Sequence, residues 1–323
     1  MIEKFGLKEN QTTPEKIFLN RRSFIKGAAA ATLVGAGGPL AGCSLSPDSS
    51  NTHMEPRLTF PSKFFKNSLY AVDDKITLER EATTWNNYLE FGATKEIAVA
   101  AQSLDISPWE IEIDGEVEMP MKIDVADLIT RMPIEERIYR HRCVEGWAMV
   151  IPWAGFSLKS LVELAQPSSG AKYLRMESFE RPFTASGQWK FWHPWPYYEG
   201  LTIEEATNEL AFIAVGAYGK PLENSMGAPI RLVVPWKYGF KSIKAIQKFT
   251  FTKERPIGFW AQSSPAEYGF WANVHPTSPD SYLSLEKEYL LGTDVTRNTE
   301  IFNGYGDYVE NLYDELSEEF LFK

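Results

Sequence analysis

Cysteine and histidine are scarce in this chain, two and four among 323 residues. That excludes a disulfide framework and a zinc centre assembled from several protein ligands. Positive charge is short as well. Lys and Arg number 33 against 43 Asp and Glu, a net charge of −10. Nucleic-acid binding rests on Lys and Arg neutralising phosphates, so no nucleic-acid partner is expected. No internal repeat is visible, and no apolar run is long enough to span a bilayer as a stable helix. What is present is an ordinary globular composition, 44% apolar and 24% charged. It suffices for a sizeable core in one or two domains. Aromatic residues reach 14%, with ten Trp, which suggests a large pocket or packed loops.

Residues 1–42 read as an export signal. Asn20-Arg21-Arg22-Ser23-Phe24-Ile25-Lys26 is a basic region with an arginine pair, and residues 27–42 are mostly Ala, Gly, Leu and Val. A basic region before a short apolar stretch is signal grammar, and the pair resembles a twin-arginine signal. That route exports folded proteins, commonly because a cofactor is inserted first, and it predicts a periplasmic destination. Leu40-Ala41-Gly42-Cys43 resembles a lipoprotein cleavage box with Cys43 as the lipidated residue. A small-residue cut by an ordinary signal peptidase is the alternative. Residues 43–57, rich in Ser, Pro, Asn and Thr, read as a flexible tether, which leaves residues 58–323 as the folded domain.

Within that domain, Trp109 to Val117 alternates apolar and polar residues about Asp114-Gly115, a hairpin signal. Lys122 to Met132 has helical spacing and stops before Pro133. Ser157 caps a helix through Ala165. Lys172 to Glu177, Phe212 to Val215, Ile230 to Val234 and Ile243 to Phe251 read as strands. Ile203 to Leu210 reads as a short helix, and Tyr308 to Phe320 as an acidic amphipathic helix that packs Val309, Leu312, Tyr313, Leu316 and Phe320 on the body. Short helices interrupt many strands without a βαβ rhythm, so a mixed α+β fold is expected.

Cys143 is the one cysteine of the body, in Arg140-His141-Arg142-Cys143-Val144-Glu145-Gly146-Trp147. Basic neighbours, with Arg137 close by, would favour its thiolate. A lone thiol admits three roles: an inert buried side chain, a nucleophile, or one protein ligand to a metal held mainly by a cofactor. The export signal adds weight to the third. A second cluster runs from Gly227 to Lys244. It places Arg231, Lys237, Lys241 and Lys244 among glycines and aromatics in an otherwise acidic chain. It reads either as a pocket for an anionic group such as a phosphate, or as a strand–turn–strand with solvated lysines.

Arg-Cys-Val-Glu-Gly-Trp at 142–147 and Gly-Ala-Pro-Ile-Arg-Leu-Val-Val-Pro-Trp-Lys-Tyr-Gly-Phe-Lys-Ser-Ile-Lys at 227–244 resemble the sulfite-oxidase superfamily of molybdopterin enzymes. Trp85 to Phe91, Glu135 to Arg140 and Phe302-Asn303-Gly304-Tyr305 narrow the resemblance to the protein-methionine-sulfoxide reductases, from about residue 58 to the end. The resemblance implies a sulfite-oxidase-like molybdopterin-binding fold. It implies one molybdopterin in its mononucleotide-free form, with molybdenum held by Cys143 and the dithiolene sulfurs. Asn86 and Glu145 match polar residues beside the metal, and Leu89 and Glu90 a pair lining the pterin. Ser178 stands where the family has Thr. Arg231 matches an Arg that holds the pterin, and Ser242, Ile243 and Lys244 a backbone-binding stretch near its phosphate. Met226 departs from the Asn usual before Gly-Ala-Pro, and neighbouring Asn224 would compensate if the loop were shifted.

The implied activity is reduction of methionine sulfoxide in oxidised periplasmic proteins, with electrons from quinol through a membrane haem b subunit. Rival readings are a sulfite-oxidising or other small sulfoxide- or N-oxide-processing molybdoenzyme, and a non-enzymatic lipoprotein that binds a partner. Against sulfite stands Glu145, whose charge beside the metal would repel a dianion. Gly187 to Tyr198, with Trp189, Trp192 and Trp195, reads as a substrate-facing loop, and His141 and His193 as structural.

Overall fold

The computed structural model describes residue 60 and residues 64–278, 285–316 and 318–323. The signal, Cys43 and the tether expected over residues 1–57 lie outside the described residues. The strands are β1 (Phe65–Lys66), β2 (Glu110–Gly115), β3 (Met121–Asp124), β4 (Glu135–Arg142), β5 (Trp147–Ser157), β6 (Tyr173–Ser178), β7 (Tyr198–Thr202), β8 (Phe212–Ala217), β9 (Lys220–Pro221), β10 (Arg231–Val233), β11 (Ile246–Thr252), β12 (Lys287–Leu290) and β13 (Thr296–Asn298). Short helices intervene: α1 (Glu79–Thr84), α2 (Ala98–Ala101), α3 (Val125–Arg131), α4 (Leu158–Ala165), α5 (Ile203–Thr207), α6 (Phe259–Ser263) and α7 (Gly306–Val309). None is long and apolar enough to cross a membrane.

Two sheets organise the domain. One runs β1–β4–β5–β12–β13, with β8 also on β5 and carrying β9 and β10. The other runs β3–β2–β11–β6–β7. Antiparallel pairs dominate, but β1/β4, β2/β11 and β5/β12 are parallel. The mixture is the α+β architecture expected. Strand β5 is buried along ten of its eleven residues. It lies between β4 and β8, which is why its sequence is nearly continuous apolar rather than alternating.

Local chemistry shifts several of the expected boundaries. The β2–β3 hairpin exists, but its turn lies beyond Gly115, because Ile113 pairs with Met121 and Glu110 with Asp124. Gly115 is needed for its φ of +84° and its closeness to the Phe251 carbonyl. The helix expected from Lys122 begins only at Val125. The Asp124 carboxylate accepts from Ala126 N at 2.8 Å and caps it there, leaving 121–124 to pair as a strand. Helix α4 matches its expected span, and its apolar residues Leu158, Leu161, Val162 and Ala165 are all buried. The helix from Ile203 stops at Thr207, where Asn208 turns back to accept from Leu210 N at 2.9 Å.

The C-terminal helix is the largest departure. Tyr308 to Phe320 breaks into α7 and a tight turn over Glu310–Tyr313. The turn sends the Tyr313 hydroxyl inward to Glu205 at 2.8 Å and Trp236 at 2.8 Å. Val309 and Tyr313 are buried, while Phe320 is exposed. A buried polar anchor has overridden helical periodicity.

Candidate active site

Strand β4 hands the chain to β5 through a turn that holds Cys143. Gly146 N donates to the Cys143 carbonyl at 3.1 Å, and Cys143 N to the Trp147 carbonyl at 3.0 Å. Gly146 has φ +90°, a left-handed conformation that favours glycine. The turn leaves the Cys143 side chain 6% exposed. Asn87 Nδ2 and Glu145 N each lie 3.5 Å from Sγ. Lys95 forms an ion pair with Glu145 at 2.6 Å and donates to Asn87 Oδ1. Trp147 Nε1 donates to Glu145 at 2.8 Å. The sulfur therefore faces a small polar frame of Asn87, Lys95 and Glu145.

The basic neighbours that sequence order placed beside Cys143 are engaged elsewhere. The Arg142 side chain is fully buried and pairs with Glu288 at 2.6 Å. Its guanidinium also donates to the Cys143 carbonyl, not the sulfur. Arg140 pairs with Asp74 at 2.6 Å and Arg137 with Glu135 at 2.5 Å. The expectation of an activated free thiolate is corrected accordingly. Burial, aided by the Glu145 carboxylate, pushes the thiol up to about 12. A soft metal would have to displace the proton.

Asn86 is not the amide nearest the sulfur. Its Nδ2 donates to the Ala82 carbonyl at 2.9 Å, closing the end of α1, and its Oδ1 lies 3.4 Å from Lys244 Nζ. Lys244 also donates to Ser225 O at 2.8 Å and Asn87 O at 3.0 Å. Arg231 reaches the carbonyls of Met226 at 2.9 Å and Ser242 at 3.0 Å. Glu90 is buried, and burial pushes its carboxyl up to about 7 against the pull of its own backbone N–H, Lys244 and Ser178. The Leu89–Glu90 backbone is met closely by Gly187, whose N–H donates to Glu90 O at 2.7 Å. The Ser178 hydroxyl donates to Ala245 O at 3.3 Å. Ile243 is buried and passes its carbonyl to Leu232 N at 2.9 Å. Lys244 thus gathers Asn86, Glu90 and Ser178 near Arg231, Met226 and Ser242, one loop away from Cys143. Asn224 does not stand in for the missing Asn at 226. Both its amide protons go to Ala101 O and Leu104 O, at 3.0 and 2.9 Å.

Two observations test whether a metal–pterin cofactor fits. First, burial lowers Arg231 to about 10, and burial with Arg231 beside it lowers Lys244 well below the usual lysine range. Neither forms an ion pair within 4.0 Å among the described residues, and His141 close by is held neutral by burial and these same cations. Arg231 is 3% exposed and Lys244 half-buried, and positive charge with no carboxylate in contact fits an anionic ligand. Second, Tyr88 Oη and Trp153 Nε1 are buried without hydrogen-bond partners among the described residues. Lys244 lies 4.6 Å from the centre of the Tyr88 ring, and Arg231 5.0 Å from that of Trp153. Donors left over around two cations suit a polar, phosphate-bearing group. Among the described residues no three His, Cys, Asp or Glu converge to hold a metal. A metal at Cys143 must then take its remaining ligands from a cofactor.

Asn87, Lys95 and Tyr268 are the site residues that sequence reasoning missed. Asn87 adjoins Asn86, and one sequence cannot show which of the two turns toward the sulfur. Lys95 belongs to no motif. Tyr268 is raised to about 12 by burial, with Glu267, Cys143 and Glu145 adding to the effect, so it stands within electrostatic reach of the sulfur.

A single soft ligand facing a polar frame, with Arg231 and Lys244 nearby, suits an oxidoreductase of the metal–pterin class. The family described as "Oxidoreductase molybdopterin binding domain" matches residues 98–260. The chain is also 40% identical over 312 residues to the protein-methionine-sulfoxide reductase catalytic subunit MsrP of Burkholderia mallei, covering 94% of this chain and 92% of that one. It belongs to this family of molybdopterin-binding oxidoreductases. The solved sulfane dehydrogenase SoxCD of Paracoccus pantotrophus is similar over 65% of this chain and 60% of that chain, at 17% identity and a TM-score of 0.40.

Proposed function

We propose that this protein reduces methionine sulfoxide in oxidised proteins to methionine, with a molybdenum cofactor. The observation that carries the reading is the buried Cys143 sulfur within a polar frame, one loop from the unpaired cations Arg231 and Lys244. Molybdenum bound there would supply two-electron, oxygen-accepting chemistry. Cys143 holds the metal. Arg231 and Lys244 balance the anionic pterin, while Glu90, Ser178 and the backbone at Met226, Ser242 and Ile243 shape its bed. Asn87, whose Nδ2 donates to Cys143 Sγ and Glu145, and Lys95, which pairs with Glu145, frame the sulfur side where a substrate would approach. The mononucleotide-free molybdopterin implied by the sequence resemblance belongs to the same reading.

Localisation and assembly belong to the same proposal. The arginine pair at Arg21-Arg22 supports folded export to the periplasm, and Cys43 supports a lipid anchor on a Ser- and Pro-rich tether. The relative's designation as a catalytic subunit supports a partner subunit. For an exported reductase that partner is a membrane haem b protein fed by quinol. Repair has a physical benefit, because oxidation makes an apolar side chain polar and disturbs packing.

Sulfite oxidation stays in the test for a specific reason. Lys95 neutralises Glu145, so charge alone does not bar a dianion, contrary to the sequence-based argument. Purified protein should contain molybdenum and pterin. Reduced viologen with methionine sulfoxide should turn over faster than sulfite with an oxidising dye. Sulfite turnover without sulfoxide turnover would reverse the assignment, and protein devoid of metal after cofactor-proficient expression would end it.

A further inference from the structure

A row of aromatic rings runs from the surface to the Cys143 turn. It begins on the stretch between β6 and β7, where Phe191 is 89% and Trp192 64% exposed. Phe191 meets Trp192 edge-on at 5.4 Å, and Trp192 lies 6.0 Å from His193. His193 meets Trp260 at 6.2 Å, Trp260 stacks on Tyr268 at 5.3 Å, and Tyr268 meets Phe240 edge-on at 5.0 Å. Trp260, Tyr268 and Phe240 are half-buried, so each keeps part of its surface open. At this end the row reaches the site. Tyr238, just before Gly239 and Phe240, pairs through its backbone with Arg142, the residue before Cys143. Gly239 lies so close to the same segment that a β-carbon there would stand 2.8 Å from His141 Nε2 and 3.4 Å from the Arg142 carbonyl oxygen. The Tyr268 hydroxyl, raised mainly by burial, also feels Cys143 and Glu145.

The backbone beneath the row is fixed. Tyr197, where the stretch rejoins β7, donates its hydroxyl to the Phe240 carbonyl at 2.7 Å. His193 N and Trp195 Nε1 both donate to Lys190 O, at 3.0 and 3.1 Å. An exposed apolar patch on fixed backbone marks an interaction surface, and its continuity with the sulfur frame indicates what covers it. The row is uncharged at neutral pH, because burial, with Lys190 beside it, holds His193 below the usual histidine range. A charged partner would find no counter-charge along these rings. Methionine fills cores and apolar interfaces, so its neighbours in a protein are commonly apolar. A chain that presents an oxidised methionine presents those neighbours with it, and Trp and Tyr offer them large apolar faces.

We propose that Phe240, Tyr268, Trp260, His193, Trp192 and Phe191 form a track that holds the apolar residues flanking the methionine sulfoxide of a polypeptide substrate. This rests on the sulfoxide-reductase activity proposed above. Each step between rings is spanned by about two residues of extended chain, so peptide length decides which rings are reached. The test uses the cofactor-loaded full chain with reduced viologen and peptides carrying methionine sulfoxide at the centre. A nonapeptide with Leu and Ala flanks should have a KM about tenfold below that of a nonapeptide with Ser and Gly flanks, and raising the salt should not weaken it. Phe191→Ser with Trp192→Ser, two exposed positions, should raise the KM of the Leu-flanked nonapeptide about tenfold at constant kcat. A Leu-flanked tripeptide is too short to reach those rings, and its KM should move by less than about twofold. Anisotropy of the Leu-flanked nonapeptide labelled with fluorescein should show the same tenfold loss without turnover. Peptide binding that depends on the track without sulfoxide turnover would reject the activity alone, whereas equal affinity of parent and variant would reject the track alone. An equal loss on the tripeptide would overturn the track as well, since the rings would then act on the site itself. So would a defect confined to quinol-driven turnover through a haem partner, or one confined to self-association of the chain.

Discussion

Four cations lie between Arg231 and Lys244, and the structure sorts them into two kinds. Lys237 and Lys241 are fully buried, and each has a buried carboxylate: Glu205 at 2.5 Å and Glu199 at 3.0 Å. Lys237 also meets Asn273 at 2.8 Å and the Trp271 carbonyl at 2.7 Å. These pairs pin the β10–β11 connection to β7, α5 and the C-terminal segment. Among the described residues Arg231 and Lys244 bond only carbonyl and amide oxygens, with the Glu90 carboxyl acting on Lys244 through space. A buried cation with its counter-ion is architecture. Arg231, buried, and Lys244, half-buried, lack one and are free to balance an anionic ligand. The network behind Cys143 belongs to the first kind, running Arg142–Glu288–Arg297–Asp74–Arg140 with each contact at 2.6 Å.

The largest expected effect concerns the ligand that gives the cation pair its purpose. Cys143→Ser should leave turnover at background and molybdenum near zero, because a hydroxyl is a poor substitute for a soft thiolate. Thermal unfolding should change little, since the turn is held by backbone bonds. A Ser variant with normal metal and turnover would remove the site. Retention of pterin without metal would sharpen the comparison by showing that Arg231 and Lys244 hold the organic part alone.

Next comes a direct contrast between the two kinds of cation. Lys237→Met leaves Glu205 buried beside no positive charge and should destabilise the fold by about 3–5 kcal/mol. Lys244→Met removes a half-buried cation that is bonded to Asn86, Asn87 and Ser225 but to no carboxylate, and should cost cofactor-free protein about 1–2 kcal/mol, less than Lys237→Met. It should nevertheless cost the protein most of its bound pterin. Denaturant titration and pterin fluorescence read the two effects separately. Equal destabilisation by both substitutions would dissolve the distinction.

The sequence placed both segments of the site on the page, Arg142 to Trp147 and Gly227 to Lys244, through residue types and order. It could not sort the four cations. Glu205 and Glu199 lie far upstream, and only folding brings them to Lys237 and Lys241. The same limit explains the misplaced influence of Arg140 and Arg142 on Cys143. Alternation along a strand sends neighbours to opposite faces, and their carboxylates, Asp74 and Glu288, come from distant segments. Helix α4 was legible because spacing and breaker agree, although Ser157 at its N-terminus makes no side-chain capping bond. The C-terminal helix was misread because Tyr313 is fixed by a polar network that its periodicity does not record.

A smaller effect follows from Glu90. Its folded pKa, raised to about 7 by burial, exceeds the ordinary value of 4.5. The stabilising contribution of the protonated form is therefore present below about pH 4.5 and lost as pH rises through 7. Cofactor-free protein should lose about 2–3 kcal/mol between pH 5 and pH 8 from this group. Glu90→Gln should flatten that slope in denaturant titrations at several pH values. An unchanged slope would assign the pH dependence elsewhere.

The smallest effect tests whether the Cys143 frame is electrically balanced, as the Lys237 and Lys241 pairs are. Burial pushes the Glu145 carboxyl up, but bonds from Lys95, Trp147 and Asn87 outweigh it and hold it below the usual carboxylate range. Glu145 is therefore an anion at working pH, and Lys95 cancels it. Both side chains reach solvent, so screening limits the interaction to about 1 kcal/mol. Lys95→Met should expose that negative charge to whatever approaches the sulfur. Sulfite binding, read as inhibition of sulfoxide turnover, should weaken about fivefold at low salt, and the difference should shrink as ionic strength rises. Methionine sulfoxide is neutral, so its KM should move by less than about twofold. Equal weakening of both ligands would mean that Lys95 touches substrate directly, and the frame would then be a binding group rather than a balanced pair.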